Sequence, residues 1–120
     1  MADRARTGII LVVDDQESIR ALLRRQLGDR GHTVLETGDG AQALHLVRRR
    51  NGEVDLILSD VAMPQMNGTE LTTRIGVEFP DIPVILMSQN PFDPERLADL
   101  VALALRHPVS PRAEARTPAR

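Results

Sequence analysis

Residues 55–68 read DLILSDVAMPQMNG, and the order of residue types in that stretch decides the fold. VDLILS, 54–59, is a short apolar run, which predicts a buried strand that ends at Asp60. MPQMNG then reads as a loop. TELTTRIGVEF, 69–79, reads as a helix with Leu71 and Ile75 facing inward. A carboxylate stands where a buried strand stops, on the way into a turn.

The same grammar recurs on both sides. IILVV (9–13) is a continuous apolar run that ends at Asp14-Asp15, as a buried parallel strand would. ESIRALLRRQLGDR (17–30) carries Ile19, Leu22, Leu23 and Leu27 at helical spacing, with Gly31 placed to end the helix in a left-handed turn. HTVLET (32–37) is a short strand. Asp39 is placed to cap the helix AQALHLVRRR, and Asn51-Gly52 stops it. After Asp81-Ile82-Pro83 comes a fourth strand, VILM, ending at Ser88. The order β-α-β-α-β-α-β implies a parallel sheet with helices on both faces and right-handed crossovers. Ligands of such sheets bind beyond the carboxyl ends of the strands. Asp14, Asp15, Asp60 and Ser88 all sit at such ends.

Bulk properties narrow the classes. A chain of 120 residues with 42% apolar residues suits one domain, and 2% aromatics means a core of Leu, Val, Ile, Ala and Met. A net charge of −2 supplies no electrostatic argument for nucleic acid or an acidic membrane. There is no cysteine, so disulfides and thiolate chemistry are excluded. No apolar run approaches a membrane span, and MADRARTG lacks the apolar stretch of a secretion signal, so a cytoplasmic protein is expected. All fifteen basic residues are Arg.

Three carboxylates brought together repel unless a cation neutralises them. Oxygen ligands with room for water favour Mg²⁺. A carboxylate beside that ion is able to attack a phosphoryl group, a reaction that needs mostly positioning and charge neutralisation. The Ser88 hydroxyl has the chemistry to donate to a phosphoryl oxygen. Singly, an Asp-Asp pair reads as a helix cap and an Asp after a strand as a solvated turn; their joint occurrence with MPQMNG is what argues for a site.

IILVVDD, DLILSDVAMPQMNG and PVILMS, in that order over residues 9–88, resemble a response-regulator receiver domain of two-component signalling. The resemblance implies a flavodoxin-like doubly wound parallel sheet, strand order 2-1-3-4. It implies Asp60 as phosphoacceptor, Asp15 as direct Mg²⁺ ligand, Asp14 acting through water, and the Ala62 main-chain carbonyl completing the metal shell. Ser88 becomes the switch hydroxyl, and Pro64 and Gly68 shape the loop. The implied phosphoryl donor is a histidine kinase or phosphotransfer protein.

Other motifs read as bland. Gly38, Gly40 and Ala43 fit a dinucleotide-type G-x-G-x-x-A, but this turn follows the second strand, and the glycines suit the entrance to the second helix. Asp60-Val61-Ala62 lacks the second Asp of a D-x-D phosphatase loop. His32, His45 and His107 show no metal spacing, and Met63, Met66 and Met87 read as packing residues. Arg48-Arg49-Arg50 suits the negative end of the helix dipole and reads as a solvated face.

The sequence leaves the family pattern after Ser88. Relatives continue through helix four and strand five to a Lys-Pro-aromatic turn and helix five. Here PFDPERLADLV resembles the segment after that lysine, Asn90 stands in the lysine's place, and about twenty residues of helix four and strand five are missing. The alternative takes 94–106 as helix four, with strand five and helix five absent. Both readings leave the fifth strand missing and no lysine in the site. They make 94–106 a helix with Leu97, Leu100, Val101 and Leu105 on one stripe, capped by Asp93 with Pro94 first. Residues 1–8 read as an arm, 9–106 as the domain, and 107–120 as a disordered tail, so a stand-alone receiver is expected. Strand four becomes a sheet edge, from which a homodimer through strand 83–87 or helix 94–106 is expected. The competing function is a dimeric interaction module insensitive to phosphate.

Overall fold

Four short apolar runs become four parallel strands: β1 (Ile9–Val13), β2 (Thr33–Thr37), β3 (Leu56–Asp60) and β4 (Val84–Met87). The computed structural model describes residues 7–87 and 93–106, and among these the sheet runs β2-β1-β3-β4. Register is continuous across the sheet: Leu11 lies beside Leu35 and Ile57, and Ile57 beside Val84. The expected strand order is therefore the observed one, with four strands and no fifth among the described residues. Ser88, Asn90, Phe92, His107 and the terminal segments 1–6 and 107–120 lie outside the described residues.

Strand side chains alternate between faces, and this divides the core into two layers. Leu11, Val13 and Ile57 pack with Ala43, Leu44 and Val47 of α2 (Gly40–Arg49) and with Leu71 and Ile75 of α3 (Gly68–Glu78). Ile10, Val12, Leu56 and Leu58 pack with Leu23 and Leu27 of α1 (Glu17–Gly28) and with Ala98 and Val101 of α4 (Pro94–Arg106). Met63 and Met87 are buried in these layers, as packing residues. Local signals hold at the caps. Asp39 accepts from the Gln42 N–H at 2.8 Å, and Asp93 accepts from Glu95 and Arg96 N–H at 3.1 and 3.2 Å. Asn51 and Gly52 both take positive φ, which ends α2.

The two-face arrangement has a topological cause. A right-handed crossover puts its helix on a face set by the direction in which the chain moves along the sheet. The chain moves one way from β1 to β2 and the other way from β2 through β3 to β4, so α1 lies opposite α2 and α3. A helix leading from β4 to a further strand at that edge would join α2 and α3. α4 lies on the α1 face instead, with Asp99 reaching Arg30 at 2.8 Å.

Several local expectations are corrected. β3 starts at Leu56 rather than 54, because the Asp55 carboxylate takes the Ile9 N–H at 2.8 Å and ties β3 to β1 from outside the ladder. Asp60 belongs to the strand itself: it is in register with Met87, and the next residue, Val61, still donates to the Met87 carbonyl. α1 ends at Gly28 rather than at 30, and the chain turns through Gly31 at φ 94°. Leu22 is 41% exposed, since Leu23 and Leu27 define the buried side. On α4 the buried positions are Ala98, Val101 and Ala102, while Leu100 is exposed. Arg48 is more than a solvated charge, because it chelates Glu78 through two nitrogens and links α2 to α3.

Candidate functional site

β1 and β3 are adjacent and parallel, so their carboxyl ends open at the same edge of the sheet. That brings Asp14 and Asp15, just past β1, to Asp60, the last residue of β3. One carboxylate oxygen from each lies within 4.8 Å of the others. Asp14 is fully buried, Asp60 is 5% exposed, and Asp15 faces solvent. The cluster thus has a floor of two sheltered carboxylates and a third at the rim.

Asp14 is held on both sides of its peptide unit. Its N–H donates to the Thr37 carbonyl at 3.1 Å, and its Oδ1 accepts from the Gln16 N–H at 2.8 Å. Burial pushes the Asp14 carboxyl above its ordinary value. The Gln16 N–H opposes that rise, the charges of Asp60 and Asp15 add to it, and Arg20 opposes it. A divalent cation would remove the repulsion that Asp14 feels from its two neighbours. Three carboxylates supply the hard oxygen donors that Mg²⁺ takes and offer nothing to a soft metal.

Arg20 was not singled out by the sequence, where it is one of many arginines. It stands in the first turns of α1, where its Nη1 donates to the Asp14 carbonyl at 2.6 Å and its Nε lies 3.4 Å from Glu36 of β2. An Arg five residues after an Asp-Asp pair, at the head of a helix returning over the sheet, is the signal that would have found it. Ser59 was missed as well; it is buried, and its hydroxyl donates to the Asp60 carbonyl at 2.9 Å.

The loop after Asp60 is shaped by backbone constraints. A Cβ on Gly68 would stand 2.2 Å from the Asp60 carbonyl oxygen, so only glycine allows α3 to start this close to the strand end. The Gly68 N–H donates to Val61 at 2.9 Å, and Asn67 caps α3 by accepting from Glu70. Gln65 takes φ 64°, a left-handed conformation that costs a non-glycine residue about 1 kcal/mol or more. Pro64 and Ala62 are exposed on this loop and, with Val61, Met63 and Asn67, line an open groove of about 540 Å³ next to the acid cluster. Gly40 explains the dinucleotide-like pattern: a Cβ there would lie 2.7 Å from the Met66 carbonyl oxygen, so it allows α2 to pack against the same loop. His32 is buried and accepts from the Gly8 N–H at its Nδ1, 3.1 Å, at the opposite end of the sheet.

Comparison with known proteins agrees with this geometry. The family model described as the response regulator receiver domain matches residues 10–105. The sensor kinase CckA of Brucella abortus is 37% identical over 86 residues, 72% of this chain, although the chain spans only 9% of that kinase's length. The crystal structure of the receiver domain from the hybrid histidine kinase CckA superposes with TM-score 0.72 at 32% identity, covering 80% of this chain and 97% of that one. The response regulator protein TrrA from Thermotoga maritima, solved in complex with Mg(2+)-BeF, superposes with TM-score 0.62 at 33% identity, covering 68% of this chain and 69% of that one. Match length, topology and the gathered carboxylates agree: the chain belongs to the response regulator receiver domains of two-component systems.

Proposed function

We propose that this chain accepts a phosphoryl group on Asp60 with Mg²⁺ bound by Asp14, Asp15 and Asp60, and acts through protein contacts. The observation that carries the reading is the convergence of those three carboxylates to within 4.8 Å at the carboxyl ends of β1 and β3. Receiver domains are signalling modules rather than enzymes acting on small molecules, and the transfer modifies the chain itself. The donor is a phosphohistidine on a histidine kinase or phosphotransfer protein. An Asp60 carboxylate oxygen attacks phosphorus and forms the new P–O bond as the P–N bond breaks. The imidazole keeps the electron pair and takes up a proton.

Mg²⁺ would supply positive charge to the carboxylates and to the phosphoryl oxygens. Asp15, the exposed member, would hold it directly, Asp14 would act through water, and the Ala62 main-chain carbonyl would complete its ligands. Asp14 and the Arg20 contact keep the turn after β1 in place, Gly68 and Pro64 hold the loop after β3, and Ser88 serves as the switch hydroxyl. The chain contains no lysine, so the cation that relatives place in the site is absent, and the alignment that takes 94–106 as the last helix matches Asn90 to it in sequence. Arg is a poor replacement for an ammonium point charge. What supports reading 94–106 as the family's last helix, with helix four and strand five deleted, is its place beside α1.

No helix among the described residues is long and apolar enough to cross a membrane, and a cytoplasmic location suits the proposed donors. The absent lysine also favours a second reading, a receiver-like module that dimerises through β4 or α4 without regard to phosphate. Acetyl phosphate with Mg²⁺ separates the two. The acceptor reading expects a phosphoryl adduct by intact mass on the wild type and none on Asp60→Asn. No adduct on the wild type, or an equal one on the variant, refutes it.

A further inference from the structure

β4 runs Val84–Met87 at the end of the sheet, and among the described residues no strand lies beyond it. Its bonds to β3 use alternate residues. The Pro83 and Met87 carbonyls accept from Ile57 and Val61 N–H at 3.0 and 3.3 Å. In a parallel ladder, residues that bond to one side alternate with residues that face the other. Val84 and Leu86 therefore turn both N–H and C=O to the open side. A strand is the element that satisfies such an alternation.

The side chains add to the argument. VILM carries no charge, no proline and no bulge, so the edge lacks the usual protections. Leu86 is 40% exposed and Val61, on the adjoining loop, 39%. Leu86 shares the face of Val84, which packs on the α2 and α3 layer, while α4 packs on the other face with Ile85 and Met87. The opposite edge, β2, differs: Glu36 there is held by Arg20 and Arg24. Pairing β4 with β2 of another copy would be heterologous and open-ended, whereas β4 with β4 closes after two chains.

We propose that the β4 edge is a strand-pairing surface for a second copy of this chain, joined antiparallel about Ile85. In that register Val84 lies opposite the second copy's Leu86, and Leu86 opposite its Val84. The outward N–H and C=O groups of both chains are then satisfied by four hydrogen bonds. The two-fold axis stands perpendicular to the sheet, so both Leu86 side chains fall on one face, each beside the second copy's Val84 and diagonal to the other Leu86. The interface is small beside the roughly 800 Å² per partner of a stable complex, so the dimer is transient in class. This deepens the dimeric side of the proposed function by choosing β4 over α4. It does not require Asp60 to carry phosphate.

Sedimentation velocity of the full chain over about 10 µM to 1 mM tests it, a range suited to a small interface. Interference optics are needed because the chain has no Trp or Tyr. The expected results are a reversible monomer–dimer equilibrium and Val84 and Leu86 amides whose hydrogen exchange slows with concentration. Leu86→Lys places two cations at the junction and should weaken the dimer by at least about tenfold. A monomer throughout the range overturns the proposal. So does a dimer indifferent to Leu86→Lys, or one whose Val84 and Leu86 amides stay unprotected, which would point to α4. Acetyl phosphate labelling of Leu86→Lys keeps the readings apart. Loss of the dimer with Asp60 still labelled supports the edge, and no label on a wild type that still dimerises refutes only the acceptor.

Discussion

Replacing Asp60 by Asn tests the acid cluster without any phosphoryl donor. Asn keeps the shape and removes one negative charge from a group whose oxygens lie within 4.8 Å of each other. Two unit charges at that distance repel by about 1 kcal/mol in water and about 3.5 kcal/mol at an effective dielectric of 20. Asp15 faces solvent while Asp14 is buried, so the relief lies between these bounds. Without Mg²⁺ the variant should be more stable than the wild type by about 1–3 kcal/mol. For a domain of this size that raises the melting temperature by about 5 °C or more. Circular dichroism in EDTA reads it, the chain having no Trp or Tyr for fluorescence.

Two controls tie the gain to charge. Mg²⁺ should raise the wild-type melting temperature, by about 2.7 kcal/mol in stability at a hundredfold excess over Kd, and do much less for Asp60→Asn. The pH control has a definite sign. The Asp14 carboxyl is raised in the fold, so the folded chain holds its proton more tightly than the unfolded chain. That contribution is present below the ordinary carboxylate value and is lost as pH rises through the raised one. In acid, where the carboxylates are protonated, the advantage of Asp60→Asn should therefore vanish. A variant no more stable than wild type at neutral pH without metal would refute the charge argument.

Gly68→Ala should destabilise by about 1–3 kcal/mol or more in urea, because its Cβ meets the Asp60 carbonyl oxygen at 2.2 Å. Gly76→Ala in the same helix meets nothing within 4 Å and should instead stabilise by about 0.5–1 kcal/mol. Burial holds His32 below its ordinary pKa, and Arg30 adds to this, so the fold keeps the ring neutral as acceptor for the Gly8 N–H. Its contribution is intact above the unfolded value and is lost as pH falls below it toward the lowered folded value. His32→Gln should flatten that part of the urea stability profile between about pH 7.5 and 5.5.

The parts of this molecule that could be read from the chain are those decided by neighbours in sequence. Five apolar residues before Asp14-Asp15, and the run before Asp60, define strands and their ends because alternation and polarity are local. Asp39 and Asp93 cap the helices they precede for the same reason. Placing Asp14, Asp15 and Asp60 together needed one further rule, that parallel strands open at a common edge, and the resemblance of DVAMPQMNG to a known loop sharpened it. Arg20 escaped because its partners, the Asp14 carbonyl and Glu36, are chosen by how α1 crosses the sheet. The face of α4 escaped for a related cause. Its stripe of Leu97, Val101 and Leu105 predicts a buried side but not which face of the sheet receives it. Handedness supplies that choice only when a helix connects two parallel strands. α4 is not followed by another strand among the described residues, so it is free to take the α1 face. There it covers Met87 on one face of β4 and leaves Leu86 open on the other. The open apolar edge and the position of the last helix are therefore two consequences of one cause: among the described residues no strand follows β4.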